Sequence, residues 1–226
     1  MARHTVIPVG MLDDGLILTP ERYDPRRRPP SGAGPTLRTY ADPISQQVSA
    51  RTASAASRFL VLDTGDAREG IILANKPTVP GTELGSSKKR VQPGDVIISR
   101  LRPYLRQVAY VDPGLISDGV EIACSTEFYV LRSREADSIA FLVPLLLSRG
   151  AQEILNASQE GGHHPRFNLS ALESLRVPSE VLAHRAQLSE TVINAVEAAR
   201  FADETVRQLV RRVDEQSVKE DNPVKP

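Results

Sequence analysis

The sequence has a single cysteine, no tryptophan, two methionines and only 4% aromatic residues. A lone thiol excludes an internal disulfide and a thiolate zinc cage. Cys124 lies in IACSTEFYV, which reads as a buried strand edge, so redox chemistry at this position is not expected. Net charge is also missing. Lys plus Arg (28) balance Asp plus Glu (28), which argues against indiscriminate coating of nucleic acid but permits a local basic face. No apolar run approaches the roughly 20 residues that a bilayer span requires. Residues 1–18 are interrupted by His4, Pro8, Asp13 and Asp14, unlike the apolar stretch of a signal peptide. The expectation is a cytoplasmic protein with no membrane partner.

What is present fits one ordinary domain with an appendage: 226 residues, 40% hydrophobic and 25% charged, enough to bury a core. The most informative stretch is VQPGDVIISRLRPYLRQVAYV, Val91 to Val111. Pro93-Gly94 signals a turn, and the β-branched run Asp95 to Ser99 is short enough for a buried strand. Arg100, Arg102 and Arg106 follow, with Pro103 and Tyr104 among them. Fork-shaped donors beside an aromatic face in a stiff, poorly helical loop suit phosphates and guanine edges. Lys88, Lys89 and Arg90 stand just upstream, so Lys88 to Arg106 holds six cations against one anion, Asp95, a local charge of plus five. The competing interpretation is a solvated strand end whose arginines face water or pair with carboxylates elsewhere.

The chain opens with two short apolar runs, Val6 to Val9 and Leu16 to Leu18, separated by Asp13-Asp14-Gly15, a hairpin signal. ERYDPRRRPPSGAGP, Glu21 to Pro35, is too rich in Pro and Gly for regular structure and is expected to be a flexible loop. Its Arg22, Arg26, Arg27 and Arg28 either solubilise a linker or reach along a phosphate backbone, with Arg26 and Arg27 taken as DNA contacts. Ser45 to Ala56 predicts a short helix from its Ala and Ser content. Phe59–Asp63, Gly70–Ala74, Asp95–Ser99, Gln107–Val111 and Glu127–Arg132 predict strands of a mixed sheet. Ile139 to Leu147 predicts a buried helix that tolerates Pro144 early and continues through Ile154-Leu155. In GGHHPRF, Gly161 to Phe167, adjacent histidines suggest a metal. No third ligand stands at suitable spacing, so a polar loop in which His163, His164 and Arg166 contact DNA is expected instead. NLSALESLRVP then predicts one capped helical turn, with Asn168 or Ser170 as the cap.

The strongest periodicity is the last. Val181, Arg185, Leu188, Val192, Ala195, Ala199, Ala202, Val206, Leu209 and Val213 alternate steps of four and three, a heptad seam. Running to about Gln216, such a helix is roughly 50 Å long, too long for one small domain to cover. It predicts a projecting coiled-coil helix with a partner at Leu188, Val192, Ala195, Ala199, Ala202, Val206, Leu209 and Val213. The alternative is a long helix folded back on its own sheet. A frayed, polar tail follows at 217–226.

In this order and spacing, VQPGDVIISRLRPYLRQVAYV, CSTEFYVLR (Cys124 to Arg132), GGHHPRFNLSALESLRVP (Gly161 to Pro178) and the heptad helix resemble the target-recognition module of type I restriction-modification specificity subunits. ERYDP is similar to the opening of some such modules. The resemblance implies an α/β (α+β) mixed-sheet target-recognition domain, residues 1–178, followed by a coiled-coil dimerisation helix, 179–216. It implies a non-catalytic subunit without a cofactor that brings an adenine methyltransferase subunit to double-stranded DNA. Full subunits carry two modules whose helices pair antiparallel, and half-size subunits act as homodimers, so one module and one helix imply a homodimer, with a heterodimer as the alternative. An enzyme is the rival class. No paired carboxylates beside a Lys, glycine-rich phosphate loop or Asn-Pro-Pro-Tyr-type motif is present, and GTELGSSKK, Gly81 to Lys89, has the wrong spacing for one. A coiled-coil adaptor with merely solubilising cations is the third class.

Overall fold

The computed structural model describes residue 6 and residues 8–11, 34–73, 75–160 and 165–221, with side chains up to residue 216. The expected opening hairpin, most of the 21–35 loop including Arg26 and Arg27, and His163 and His164 lie outside these residues. The strands run β1 (Ala41–Ile44), β2 (Gln47–Val48), β3 (Arg58–Leu62), β4 (Ala67–Arg68), β5 (Ile71–Ile72), β6 (Val79–Pro80), β7 (Lys88–Val91), β8 (Val96–Ser99), β9 (Val108–Tyr110), β10 (Val120–Cys124) and β11 (Phe128–Ser133). Then come α1 (Leu142–Leu147), α2 (Arg149–Ala157), β12 (Gln159–Glu160), β13 (Arg166–Phe167), α3 (Leu169–Glu173), α4 (Ser179–Ala183) and α5 (Arg185–Asp221).

Two sheets stack face to face. One has the order β1-β11-β8-β9, the other β2-β7-β10-β3-β6, with only β10 and β3 parallel. The β-branched run of β8 explains why it is central: side chains alternate faces, so Val96 and Ile98 enter the core beneath the helices while Ile97 enters the core between the sheets. All four β8 residues are buried, the pattern of a strand covered on both sides. Pro93-Gly94, with Gly94 at φ 91°, turns the chain from β7 in one sheet to β8 in the other. Asp95 stays buried at that turn because Arg132 Nε and Nη2 donate to its two oxygens at 2.8 Å each and Gln92 N donates to Oδ2 at 2.8 Å.

The expected helix over Ser45–Ala56 does not form. Val48 is 1% exposed and packs with Phe59 in a third cluster, and β2 pairs with β7; that burial outweighs the weak helical preference of the Ala/Ser run. The expected strand at Gly70–Ala74 shortens to β5, and Ala74 is outside the described residues. The continuous helix from Ile139 breaks into α1 and α2 at Ser148, whose extended backbone lets its hydroxyl accept from Ala151 N at 3.3 Å and cap α2. Asn168 caps α3 by accepting from Ala171 N at 2.9 Å, as the sequence predicts.

The first half of the terminal helix follows the folded-back alternative. Val181 belongs to α4, which ends at Ala183, so the seam does not run unbroken from that residue. The first half of α5 packs on the head: Leu188, Val192 and Ile193 lie against the helical core and Val196 is buried in it. Ser189 Oγ accepts from Phe141 N at 3.2 Å and donates to Ser138 O at 3.2 Å. Further along, Arg200 pairs with the buried Asp112. Beyond that ion pair the helix runs along a groove whose opposite wall includes Ile71, Leu73, Leu115 and Ile116, and Val206, Leu209, Val210 and Val213 are exposed. At 37 residues α5 is about 55 Å long.

Candidate nucleic-acid interface

The loop between β8 and β9 is built around a strained turn. Pro103–Leu105 form a single 3-10 turn, and the residues on either side, Arg102 (φ 44°) and Arg106 (φ 53°), are left-handed although neither is Gly. Such backbone costs on the order of 1–3 kcal/mol per residue and persists only where the surroundings enforce it. Here Pro103 is buried, α2 packs against the turn, and Arg106 is anchored: Nε donates to Glu69 Oε1 at 2.8 Å and Nη1 to Leu147 O at 3.0 Å. Glu69 is the third non-glycine residue with positive φ, and its N donates back to Arg106 O at 3.1 Å. The result is a rigid apex. Tyr104 stands 60% exposed on it, Leu105 is exposed, and Arg102 has no ion-pair partner among the described residues.

The fold brings Pro165, Arg166 and Phe167 to this apex. Leu101 and Arg166 form a β-bridge, Phe167 N donates to Arg100 O at 3.1 Å, and Arg102 N reaches Pro165 O at 3.5 Å. Glu127, in the turn between β10 and β11, joins the two side-chain sets. Its Oε2 accepts from Arg100 Nε at 2.8 Å and Arg166 Nε at 2.9 Å, and its Oε1 accepts from Arg166 Nη2 at 2.8 Å. The Arg166 fork, followed by Arg100, holds the Glu127 carboxyl down at about 2 despite partial burial. Beside it Lys89 Nζ donates to Phe128 O at 2.6 Å and lies 5.4 Å from the Tyr129 ring centroid, and burial lowers its pKa.

The arrangement separates the six cations of Lys88–Arg106 by task. Arg90 pairs with Glu121 and lies over the Phe59 ring, Arg100 with Glu127, and Arg106 with Glu69. For these three, pairing with carboxylates elsewhere is what the structure shows, so the plus five of the linear stretch overstates the charge it offers. Lys88 donates to Ser86 Oγ at 2.8 Å. Arg102, exposed at the apex beside Tyr104, has no carboxylate partner among the described residues.

No protein-family model and no curated protein matches this chain. Solved structures do. A chain from a study of the structural basis of complex assembly and conformational transition of the type I R-M system aligns over 85% of this chain and 48% of its own, at 24% identity and a TM-score of 0.56. The HsdS subunit from Thermoanaerobacter tengcongensis aligns over 88% of this chain and 53% of its own, at 20% identity and a TM-score of 0.52. The fold is that of HsdS. This chain spans about half the length of the solved chains it matches.

In the HsdS fold of this chain, the β8–β9 apex and the β12–β13 ribbon form one surface unit, although some sixty residues separate Arg102 from Arg166. Glu69, Glu127 and Tyr129 were not singled out from sequence. Tyr129 donates its hydroxyl to Phe167 O at 3.1 Å, so all three contribute to holding the unit together. Among the described residues no group of three or more His, Cys, Asp or Glu is placed to hold a metal ion, and no helix is long and apolar enough to cross a membrane. The Cys124 thiol is fully buried and pushed up to about 12 by that burial, so it stays protonated at neutral pH.

Proposed function

We propose that this chain is a DNA-reading specificity subunit of a type I restriction-modification or related methylation-based defence system. It directs an N6-adenine methyltransferase to its site in the cytoplasm and performs no chemistry of its own. The observation that carries this reading is the apex of the HsdS-type head: a strained turn, buttressed by two anchored arginines, that presents a free Arg102 and an exposed Tyr104. Backbone strain of this kind concentrates at binding sites, and a pre-positioned guanidinium is the commonest reader of guanine in the major groove. Residues 1–178 are the reading domain. Lys88, Lys89, Arg90, His163, His164, Arg26 and Arg27 are proposed as further contacts to the same DNA.

Residues 179–216 are the assembly element. Half the length of an HsdS chain supplies one head and one helix, and two copies joined through α5 restore two heads at fixed spacing.

The test is titration of duplex DNA with the purified chain over a salt series, alone and with a cognate methyltransferase. Binding whose logarithm falls steeply with log salt, together with preference for one sequence, is expected. Absence of DNA binding under both conditions favours the coiled-coil adaptor, for which the heptad seam is the supporting feature.

A further inference from the structure

Resting on the DNA-reading function proposed above, we infer that Glu127 is a positioning residue for sequence discrimination. It ties the 165–167 segment to the β8–β9 apex and withholds cationic charge from the surface, so that the head selects a sequence instead of gripping any phosphate.

Three observations lead there. The first is connectivity: Arg100 directly follows β8 and Arg166 opens β13, and one carboxylate takes a fork from Arg166 and a further bond from Arg100 on the shared Oε2. Main-chain bonds, the Tyr129 hydroxyl and the Tyr129–Phe167 ring contact also join the two segments, but Glu127 is the carboxylate that takes bonds from both arginines. The second is rigidity of the anchor itself. Glu127 O accepts from Arg100 N at 2.9 Å and Glu127 N donates to Ser125 Oγ at 3.3 Å, so the backbone that carries the carboxylate is fixed beside Arg100. The third is electrostatic. The side chains of Arg100 and Arg166 are 34% and 40% exposed, against 23% for Glu127; the guanidinium edges face outward while their counter-charge sits behind them. Glu127 with its two arginines carries plus one, and without the carboxylate it carries plus two, next to Lys89. Non-specific affinity follows the number of phosphates neutralised, whereas specificity requires cations that do not wander along the backbone. An internal carboxylate that fixes two arginines lowers the first and secures the second.

The experiment compares full-length wild type, Glu127→Gln, Glu127→Asp and the double variant Glu127→Gln with Arg166→Gln. Each is titrated with a random-sequence 30-bp duplex over a salt series, challenged with a randomised duplex library, and melted by circular dichroism. Glu127→Gln is expected to bind the random duplex about 3- to 10-fold more tightly at low salt, with a salt slope steeper by about one to two, and to select a broader set of sequences. Glu127→Asp keeps the wild-type selection. The double variant restores the charge and so the slope, but not the selection, which also decides the matter if the single variant fails to fold. A wild type that selects a sequence, beside a Glu127→Gln or double variant that selects the same one with an unchanged slope, reduces Glu127 to a structural ion pair and overturns the inference. A wild type that binds no duplex, either alone or with a cognate methyltransferase, overturns the DNA-reading function itself.

Discussion

At Arg102, strain and function are expected to part company. A left-handed non-glycine residue costs about 1–2 kcal/mol, so Arg102→Gly should be neutral or up to about 1 kcal/mol more stable after the glycine's added unfolded-state freedom is offset. Both Arg102→Gly and Arg102→Ala should weaken specific DNA binding by about 1–3 kcal/mol if the guanidinium reads a base. Chemical denaturation and competition binding measure the two quantities separately, and loss of stability without loss of binding would remove Arg102 from the reading surface. Arg106→Ala should behave in the opposite way, because it breaks the bonds to Glu69 and Leu147 O that hold the turn: stability falls first, and binding falls through disorder of the apex. Glu127 adds a pH signature. Its carboxyl is depressed from 4.5 to about 2 in the fold, so its stabilising contribution is complete above pH 4.5 and is lost as pH falls from there through about 2. The melting temperature of wild type should therefore drop more than that of Glu127→Gln between pH 5 and pH 3, and parallel curves would show that the ion pairs carry no stability. The arginine cluster was legible from sequence because its members are neighbours in the chain. Its carboxylates were not, since Glu127 lies 27 residues from Arg100 and Glu69 lies 37 from Arg106, and nothing in a linear pattern links them.

Elements were legible where one residue pattern meant one environment. The β-branched run of β8 has no polar position to face solvent, and it became the strand buried on both faces. Where a segment was weakly biased, tertiary contacts decided: Val48 entered the cluster with Phe59, and the Ala/Ser run after it became turns bridged by Ser49 N donating to Thr52 Oγ1 at 3.0 Å. The heptad helix shows a different limit. The stripe that docks on the head is Ser189, Ile193, Val196 and Arg200, which at 100° per residue lies about 110° around the helix from the centre of the seam. Apolar periodicity registers Ile193 and Val196 as a widening of the seam but not Ser189 and Arg200, which dock through polar atoms. Ser189 is 4% exposed, and Ser189→Ala would leave the Phe141 N–H without its acceptor, a loss of about 1–3 kcal/mol. Urea denaturation measures it, and an unchanged midpoint would mean that apolar packing alone seats α5.

For the whole molecule, the exposed side of the seam sets the expected assembly. Ala195, Ala202, Val206, Leu209 and Val213 are exposed while Leu188 and Val192 are only half-buried against the head, so a second helix has access along one flank of α5. The seam is symmetric about the midpoint between Arg200 and Phe201. An antiparallel copy in that register sets Leu188 against Val213, Val192 against Leu209, Ala195 against Val206, and Ala199 against Ala202, each pair of positions summing to 401. The small residues then meet at the two-fold axis, where the helices approach closely, and the larger ones fill the flanks. Parallel pairing would instead stack Ala on Ala and Leu on Leu in register and bring both heads to the same end. The two are separable with thiols, because the native Cys124 is buried and does not compete. Ala195→Cys and Val206→Cys proteins, mixed and mildly oxidised, are expected to give a crosslinked dimer, while each alone gives little, since like positions lie 11 residues, or about 16 Å, apart along the antiparallel pair. Crosslinking of each variant with itself would indicate parallel helices. Val206→Glu with Leu209→Glu should abolish the crosslink and give a monomer in sedimentation at micromolar concentration without unfolding the head, because both positions are exposed in the single chain and become costly only when a partner removes them from water. A wild type that sediments as a monomer at that concentration would reserve α5 for a different chain, and the spacing of two reading heads would then depend on that partner.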